Sequence, residues 1–238
     1  MYFFQFFLTF FFICAAAPTS VVVKEYRDSS GAPQIPAAIA IAADNAVTAA
    51  AGTELELECI ARGGNPAPRL AWFVGGVEIA GTVAQEDRRV GRTWSSRSRL
   101  RLPVSRADHG GQVRCEADHD ALDAPLLARV SLNILYPPRV TASATILPPS
   151  NSSSASNASV LVEGGSVTLH CEVESNPAAT WVSWRRSGSA AAILTSQPTF
   201  TVSPVSRETA GSYECVAENL LGLSEPAALQ LNVECELF

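Results

Sequence analysis

A repeated set of cysteine and tryptophan residues limits the folds open to this chain more than any other feature. In each half, a cysteine is followed by an Asn-Pro-Ala tripeptide, a tryptophan and a second cysteine. The first cysteine and the tryptophan recur at an offset of 112 residues. The residues are Cys59, Trp72 and Cys115 in the first copy and Cys171, Trp184 and Cys215 in the second. The repeat predicts two structural units of one kind.

Short strands are predicted throughout both copies. Residues 54–59 alternate between acidic and apolar side chains, which indicates a strand with Leu55 and Leu57 on its buried face. Both copies end in another alternating run, and Gly75-Gly76 marks a tight reversal between strands. No window has the 3.6-residue period of an amphipathic helix. Each copy is therefore predicted to be all-β, with two antiparallel sheets packed face to face.

The copies differ beside the second cysteine. Tyr213 precedes Cys215 by two residues, a spacing that predicts a hydrogen-bonded tyrosine corner. Val113 holds the same place before Cys115, so the first copy is predicted to lack this corner. The two units therefore belong to different subtypes.

Together these features resemble the immunoglobulin superfamily, whose β-sandwich has a disulfide between its sheets and a tryptophan packed against it. The resemblance covers residues 38–234 and implies two tandem immunoglobulin-like domains, joined by the short linker Tyr136-Pro137-Pro138. The implied disulfides are Cys59–Cys115 and Cys171–Cys215. Because such bonds persist in oxidising compartments, the resemblance also implies an extracellular location.

Finer motifs narrow the resemblance. Domain 1, residues 38–136, is predicted to be constant-type, and domain 2, residues 137–234, intermediate-type. The runs Gly63 to Pro68 and Asn133 to Pro138 look like those of nephrin-like adhesion receptors and insect sidestep proteins. This implies a cell-surface ectodomain that binds another immunoglobulin-superfamily protein, homophilically or heterophilically, in cell–cell contact. Family members have more domains and a transmembrane helix, so the chain is interpreted as a fragment or a shortened product.

The N-terminus has the pattern of a secretory signal peptide, predicted over residues 1–17. An apolar run of about 11 residues, from Phe3 to Ile13, is too short to span a bilayer and precedes the small residues Ala15–Ala17. The alternatives are a buried strand or a wrongly assigned first exon. Residues 18–37 are predicted to be a linker, and no later run is long enough for a membrane anchor.

Two further predictions concern covalent modification. Asn151 and Asn157 lie in a Ser-rich stretch and are the Asn-x-Ser acceptors, so we expect glycosylation there in a secreted chain. Cys14 falls within the predicted signal peptide. Cys235 has no evident partner, which indicates either a truncated chain or an intermolecular disulfide.

Composition argues against catalysis and against nucleic-acid binding. The 17 Lys and Arg residues are outnumbered by 23 Asp and Glu, for a net charge of -6. The three histidines are scattered, and no nucleophile, nucleotide or zinc motif occurs. Acidic residues 118–123 lack the spacing of a calcium loop. We therefore predict no enzyme activity, no cofactor and no metal.

Arginines cluster between residues 88 and 106. They are Arg88, Arg89, Arg92, Arg97, Arg99, Arg101 and Arg106. One interpretation is a polyanion site, for example for heparan sulfate. The favoured interpretation is a charge ladder between two neighbouring strands, because opposite charges across strands fix their register. Its predicted rungs join Glu54, Glu56 and Glu58 to Arg97, Arg99 and Arg101.

One sheet face of domain 1 is the predicted partner site. Because Trp72 must point into the core, strand alternation sends Phe73 to the outer face. With Cys115 inward, Arg114 and Glu116 point outward on the next strand. An aromatic residue beside arginine is typical of interface hot spots, and the resemblance to nephrin-like receptors implies the same face. The alternative is that Phe73 packs under an adjacent strand or against a neighbouring domain.

The sequence therefore predicts an extracellular adhesion or recognition ectodomain. Two alternatives stay open. One is a soluble secreted binding protein, such as a decoy or humoral factor, and the other is the ectodomain of a receptor kinase or phosphatase.

Overall fold

Alternating apolar residues form strands in both halves of the chain. The residues that the computed structural model describes are 16–25, 46–79, 84–147, 161–187 and 193–234. The chain divides into two compact units, unit 1 (Met1–Ile134) and unit 2 (Leu135–Phe238). Among the described residues, the helical elements are two 3-10 turns, at Arg106–Asp108 and Arg207–Thr209. The all-β prediction is confirmed.

Unit 1 is a sandwich of two sheets. Its strands are β1 (Ser20–Glu25), β2 (Ala46–Ala50), β3 (Glu54–Gly64), β4 (Arg69–Val74), β5 (Val77–Glu78), β6 (Gln85–Val90), β7 (Thr93–Pro103), β8 (Gln112–Asp118) and the first part of β9 (Leu126–Leu147). The back sheet has the strand order β1-β3-β7-β6. The front sheet has the order β9-β8-β4-β5, and β2 also pairs with β9.

The core of unit 1 lies between these sheets. Leu57, Trp72 and Val113 are buried, as the alternation predicts. The predicted disulfide joins Cys59 on β3 to Cys115 on β8, with an S–S distance of 2.04 Å, and so links the back sheet to the front sheet. The indole N–H of Trp72 donates a hydrogen bond to the buried Ser98 hydroxyl at 3.0 Å, which satisfies the one polar group of this side chain.

Unit 2 repeats the architecture. Its strands are the later part of β9, then β10 (Leu161–Val162), β11 (Ser166–Asn176), β12 (Trp181–Arg186), β13 (Ile193–Thr195), β14 (Thr199–Val202), β15 (Gly211–Asn219), β16 (Gly222–Leu223), β17 (Ala227–Leu231) and β18 (Val233–Glu234). One sheet has the order β14-β11-β9. The other contains β13, β12, β15, β16 and β17, while β10 pairs with β18.

The core of unit 2 contains the second disulfide and the second tryptophan. Cys171 is bonded to Cys215, and Trp184 is fully buried beside them. The Tyr213 hydroxyl donates a hydrogen bond of 2.8 Å to the carbonyl of Thr209. The predicted tyrosine corner is therefore present in unit 2.

The predicted linker before domain 1 is wrong in part, because Ser20–Glu25 within residues 18–37 forms strand β1. β1 pairs antiparallel with β3 from Ser20 opposite Arg62 to Glu25 opposite Leu57. The β-branched run Val21-Val22-Val23 suits a strand, and its backbone satisfies the hydrogen-bonding groups along the edge of β3. Unit 1 therefore begins before residue 38.

Several predictions fall outside the described residues and stay predictions. They concern most of the signal peptide, Cys14, the glycosylation sites Asn151 and Asn157, and Cys235.

The predicted linker residues Tyr136, Pro137 and Pro138 lie within strand β9. Residues 126–131 of this strand pair with β8, and residues 136–147 pair with β11.

A ladder of glutamate and arginine crosses the outer surface of the back sheet. β3 and β7 pair so that Glu56 lies opposite Arg101 and Glu58 opposite Arg99. The Nε of Arg101 is 2.7 Å from a carboxylate oxygen of Glu56, and that of Arg99 is 3.4 Å from one of Glu58. These two rungs of the predicted ladder are present.

The third predicted rung is wrong. Glu54 lies opposite Pro103, and Arg97 lies opposite Ile60. Arg97 instead reaches diagonally to Glu58, with Nε 3.4 Å from the carboxylate. The Glu58 side chain, only 2% exposed, is therefore shared by two guanidinium groups. Since three arginines of the cluster are paired with carboxylates, the ladder is favoured over a polyanion site.

We expect reversal of one rung to weaken the fold and reversal of both partners to restore it. Glu56→Lys places two cations opposite each other and should lower the free energy of unfolding by about 0.5 to 1 kcal/mol. The double variant Glu56→Lys with Arg101→Glu should recover most of that loss in urea unfolding. Glu54→Lys is the matched control, since Pro103 lies opposite it. Equal effects of the two single lysine variants would contradict the ladder.

An ion pair on unit 2, between Arg185 and Glu214, makes the stability of the fold depend on pH. Glu214 accepts hydrogen bonds from Ser187 Oγ at 2.6 Å and from Arg185 Nε at 2.9 Å. These bonds hold the pKa of Glu214 below its ordinary value of 4.5, although partial burial opposes them. In the unfolded chain the carboxyl regains its ordinary pKa, so the carboxylate stabilises the fold above pH 4.5.

The stability that Glu214 contributes should disappear as the pH falls from 4.5 through its lowered pKa. We therefore expect Glu214→Gln to lower the free energy of unfolding near pH 7, measured by urea unfolding. Near pH 3 the difference in free energy of unfolding between the variant and the wild type should be smaller. Glu218→Gln on the same strand is the control, because Glu218 is exposed. If the difference in free energy of unfolding between the variant and the wild type is the same at both pH values, the Glu214 carboxylate does not provide this stability.

Candidate functional site

A two-residue turn joins β4 to β5 at one end of the front sheet. Gly75 and Gly76 have φ values of 57° and 85°, the left-handed pair that a type I′ hairpin requires. The turn pairs Phe73 with Glu78 across the hairpin from β4 to β5. Since Trp72 points into the core, Phe73 lies on the outer surface, as predicted.

The structure brings the three predicted partner-site residues together. Phe73 lies opposite Arg114 on β8, and the guanidinium carbon of Arg114 is 4.5 Å from the ring centroid, a cation–π contact. The Nη2 of Arg114 is 2.8 Å from a carboxylate oxygen of Glu116. The Phe73 ring is partly covered, and the Arg114 side chain is 32% exposed. The result is a preorganised row of aromatic, cationic and anionic groups.

Sequence reasoning missed Arg129 on β9. Arg129 is exposed and lies directly opposite Arg114, so two cations face each other across neighbouring strands. In the described parts of the chain, Arg129 forms no ion pair. The signal was available, because apolar Ala128 and Val130 point inward and alternation then sends Arg129 outward. We call the outer surface of β4, β8 and β9 in unit 1 the front face.

A shallow concavity lies beside Phe73 and Arg114, at the end of the row next to the Gly75-Gly76 turn. It has a volume of about 410 Å³ and is lined by Phe73, Gly75, Gly76, Gln112, Arg114 and Arg129. A Cβ at Gly75 or Gly76 would meet open space, so the concavity is open to solvent on the side of the turn. The site can therefore receive a side chain of a partner and does not enclose a small molecule.

The rest of the front face is mixed in character. Leu127 is exposed beside Glu116, and Arg69 pairs with Asp118 at 3.7 Å near the edge of the face. Exposed apolar and charged side chains in one flat surface are typical of protein–protein interfaces.

The acidic loop after β8 is held by a histidine. The Nε2 of His119 lies 3.0 Å from the carbonyl oxygen of Pro66, and its Nδ1 accepts a hydrogen bond from the N–H of Ala121. His119 therefore connects two loops by hydrogen bonds.

Within the described ranges, no group of three or more His, Cys, Asp or Glu residues is placed to hold a metal ion. Over the same ranges, no helix is long and apolar enough to cross a membrane.

Two family profiles agree with this fold. The CD80-like C2-set immunoglobulin domain matches residues 40–125, and a second immunoglobulin-domain profile matches residues 148–219. With two disulfide-bonded sandwiches and a profile match in each, the chain belongs to the immunoglobulin superfamily.

Its curated relatives are cell adhesion molecules. Cell adhesion molecule 3 of Homo sapiens is 31% identical over 181 residues, which cover 74% of this chain and 42% of that protein. Cell adhesion molecule 4 of Xenopus laevis is 32% identical over 136 residues, covering 57% of this chain and 31% of that protein. The chain thus spans less than half of the length of these relatives.

A solved structure of a related ectodomain also matches. The full ectodomain of mouse nectin-like molecule 4, with domains Ig1 to Ig3, has a TM-score of 0.67 and 26% sequence identity. The match covers 93% of this chain and 66% of that one. The chain is therefore similar to nectin-like cell adhesion molecules in both sequence and fold.

Proposed function

We propose that this chain is an adhesion or recognition ectodomain that acts at the cell surface and binds another immunoglobulin-superfamily protein in cell–cell contact. The similarity to cell adhesion molecules over 74% of the chain supports the class of function. The two disulfides support an oxidising, extracellular setting. Binding, not catalysis, is the activity that this surface chemistry serves.

The front face of unit 1 carries the binding in this proposal. The observation that supports it most is the Phe73–Arg114–Glu116 row, in which one aromatic ring and one arginine are fixed in place before a partner arrives. Tyr, Trp and Arg dominate interface hot spots, and a phenylalanine ring stacked by arginine provides the same combination of apolar area and charge. Preorganisation lowers the entropy lost on binding.

A finer assignment accompanies this proposal. The motifs from Gly63 to Pro68 and from Asn133 to Pro138 favour a nephrin-like or sidestep-like receptor, whereas the curated relatives are cell adhesion molecules. Both groups imply contact between immunoglobulin domains on apposed cells. The choice between homophilic and heterophilic binding is made by the experiment below.

Bead aggregation tests the proposed function. Fluorescent beads coated with the full chain are mixed with beads of a second colour that carry the same chain or a panel of immunoglobulin-superfamily ectodomains. We expect mixed-colour aggregates with at least one coating, and same-chain aggregates identify homophilic binding. Beads coated with serum albumin are the control. If the coated beads aggregate no more than albumin beads with any member of the panel, and bind no cells, the proposal fails.

A further inference from the structure

We propose that the concavity between Arg114 and Arg129 receives a carboxylate side chain, Asp or Glu, from the protein partner. This inference rests on the proposed function and adds to it the chemistry of the partner at the centre of the contact. Two observations lead to it: the two arginines of the front face have unlike environments, and the arginines of the back sheet are paired differently.

The Arg114 side chain is fixed by two contacts and is still partly exposed. Its guanidinium stacks on Phe73 and donates to Glu116 through Nη2. Its Nε is buried and has no hydrogen-bond partner among the described residues. The Arg114 side chain as a whole is 32% exposed and lines the concavity, so a carboxylate from outside can reach it without contacting the covered Nε.

Arg129 supplies the second cation. It lies directly opposite Arg114, and like charges opposite each other on neighbouring strands repel. Only Arg114 of the two has an ion pair in the described residues, so one positive charge of the row is uncompensated. A carboxylate that bridges the two guanidinium groups would remove the repulsion and form charge-assisted hydrogen bonds with both.

The back sheet shows what a compensated arrangement looks like in this protein. There Arg99 and Arg101 each lie opposite a glutamate of the neighbouring strand. On the front face, arginine lies opposite arginine, and the concavity beside them is open to solvent. The front face pairs Arg69 with Asp118 and Arg114 with Glu116, so within the described residues Arg129 is the arginine of this face that a partner carboxylate would complete.

An NMR titration with a defined peptide tests this site without the natural partner. The probe is an acetylated, amidated peptide of alternating Gly and Glu, and its comparison is the same peptide with Gln in place of Glu. In the full chain we expect the Glu peptide to shift the Gly75 and Gly76 amide resonances and the Arg129 Nε–H resonance. Its affinity should exceed that of the Gln peptide about tenfold and fall at high salt, since the difference is one charge-assisted contact.

Matched variants locate the effect. Arg129→Gln should remove most of the preference for the Glu peptide. Arg69→Gln makes the same charge change on the same sheet, at an exposed arginine paired with Asp118, and should leave the preference intact. Equal binding of the Glu and Gln peptides, or equal loss in both variants, overturns the proposal. Because the titration needs no adhesion, bead aggregation with a null titration defeats this inference alone, whereas the absence of aggregation defeats the proposed function.

Discussion

Replacement of Trp184 by alanine is expected to lower the free energy of unfolding of unit 2 by about 3 to 5 kcal/mol. The side chain is fully buried, packs in the cluster that contains the Cys171–Cys215 disulfide, and donates its indole N–H to the Pro198 carbonyl at 3.2 Å. The truncation removes these contacts and leaves a cavity. Urea unfolding, with hydrogen exchange of β11 and β15 to localise the loss, measures the effect.

Trp181 offers a matched control on the same strand. It lies on the opposite face of β12 from Trp184 and is only half-buried, so Trp181→Ala should cost about 1 kcal/mol. If Trp184→Ala leaves too little folded protein to measure, Trp184→Phe keeps most of the volume and should still destabilise more than Trp181→Ala. Equal costs for the two alanine variants would contradict the assignment of this core.

Strand periodicity explains why the interior of both units could be predicted from the sequence. A period of two gives the face of every residue once one inward residue is known, and the paired cysteines supply that residue in each unit. Leu57 and Trp72 are buried for this reason, and Phe73 lies on the outer face for the same reason. The tyrosine corner followed from the single residue Tyr213, because its hydrogen bond is local.

Register is what periodicity cannot give. A shift of two residues between β3 and β7 keeps every side chain on its face, so alternation predicted the correct surface for the ladder but not its offset. The pairing of the two strands was implied by the resemblance to the immunoglobulin fold. The structure places Pro103 opposite Glu54 and gives Glu58 two arginine partners. The burial of Glu58 follows from that shared pairing and is not visible in an alternating sequence.

Other misses have different causes. Strand β1 was missed because it precedes β2 by about 20 residues along the chain, although its run of valines has high strand propensity. Arg129 was missed because β9 was used only to count inward residues. The contact of Arg114 with both Phe73 and Glu116 depends on side-chain direction across two strands, which the sequence determines only through the fold.

Binding by a front-face double variant tests the central claim most directly. Phe73→Ser with Arg114→Glu removes the aromatic surface and reverses the charge that the row presents. If the front face is the hot spot, the affinity for the partner identified by bead aggregation should fall by about 30-fold or more. Thermal melting confirms that the variant is folded before surface plasmon resonance is used to measure its affinity.

The matched control replaces an apolar residue by Ser and an arginine by Glu on the back sheet. Val90→Ser with Arg88→Glu alters an exposed apolar residue and an exposed arginine on β6 and should leave the affinity within about twofold of the wild type. The account predicts loss of binding in the front-face variant alone. Unchanged affinity in a folded Phe73→Ser, Arg114→Glu protein would contradict it.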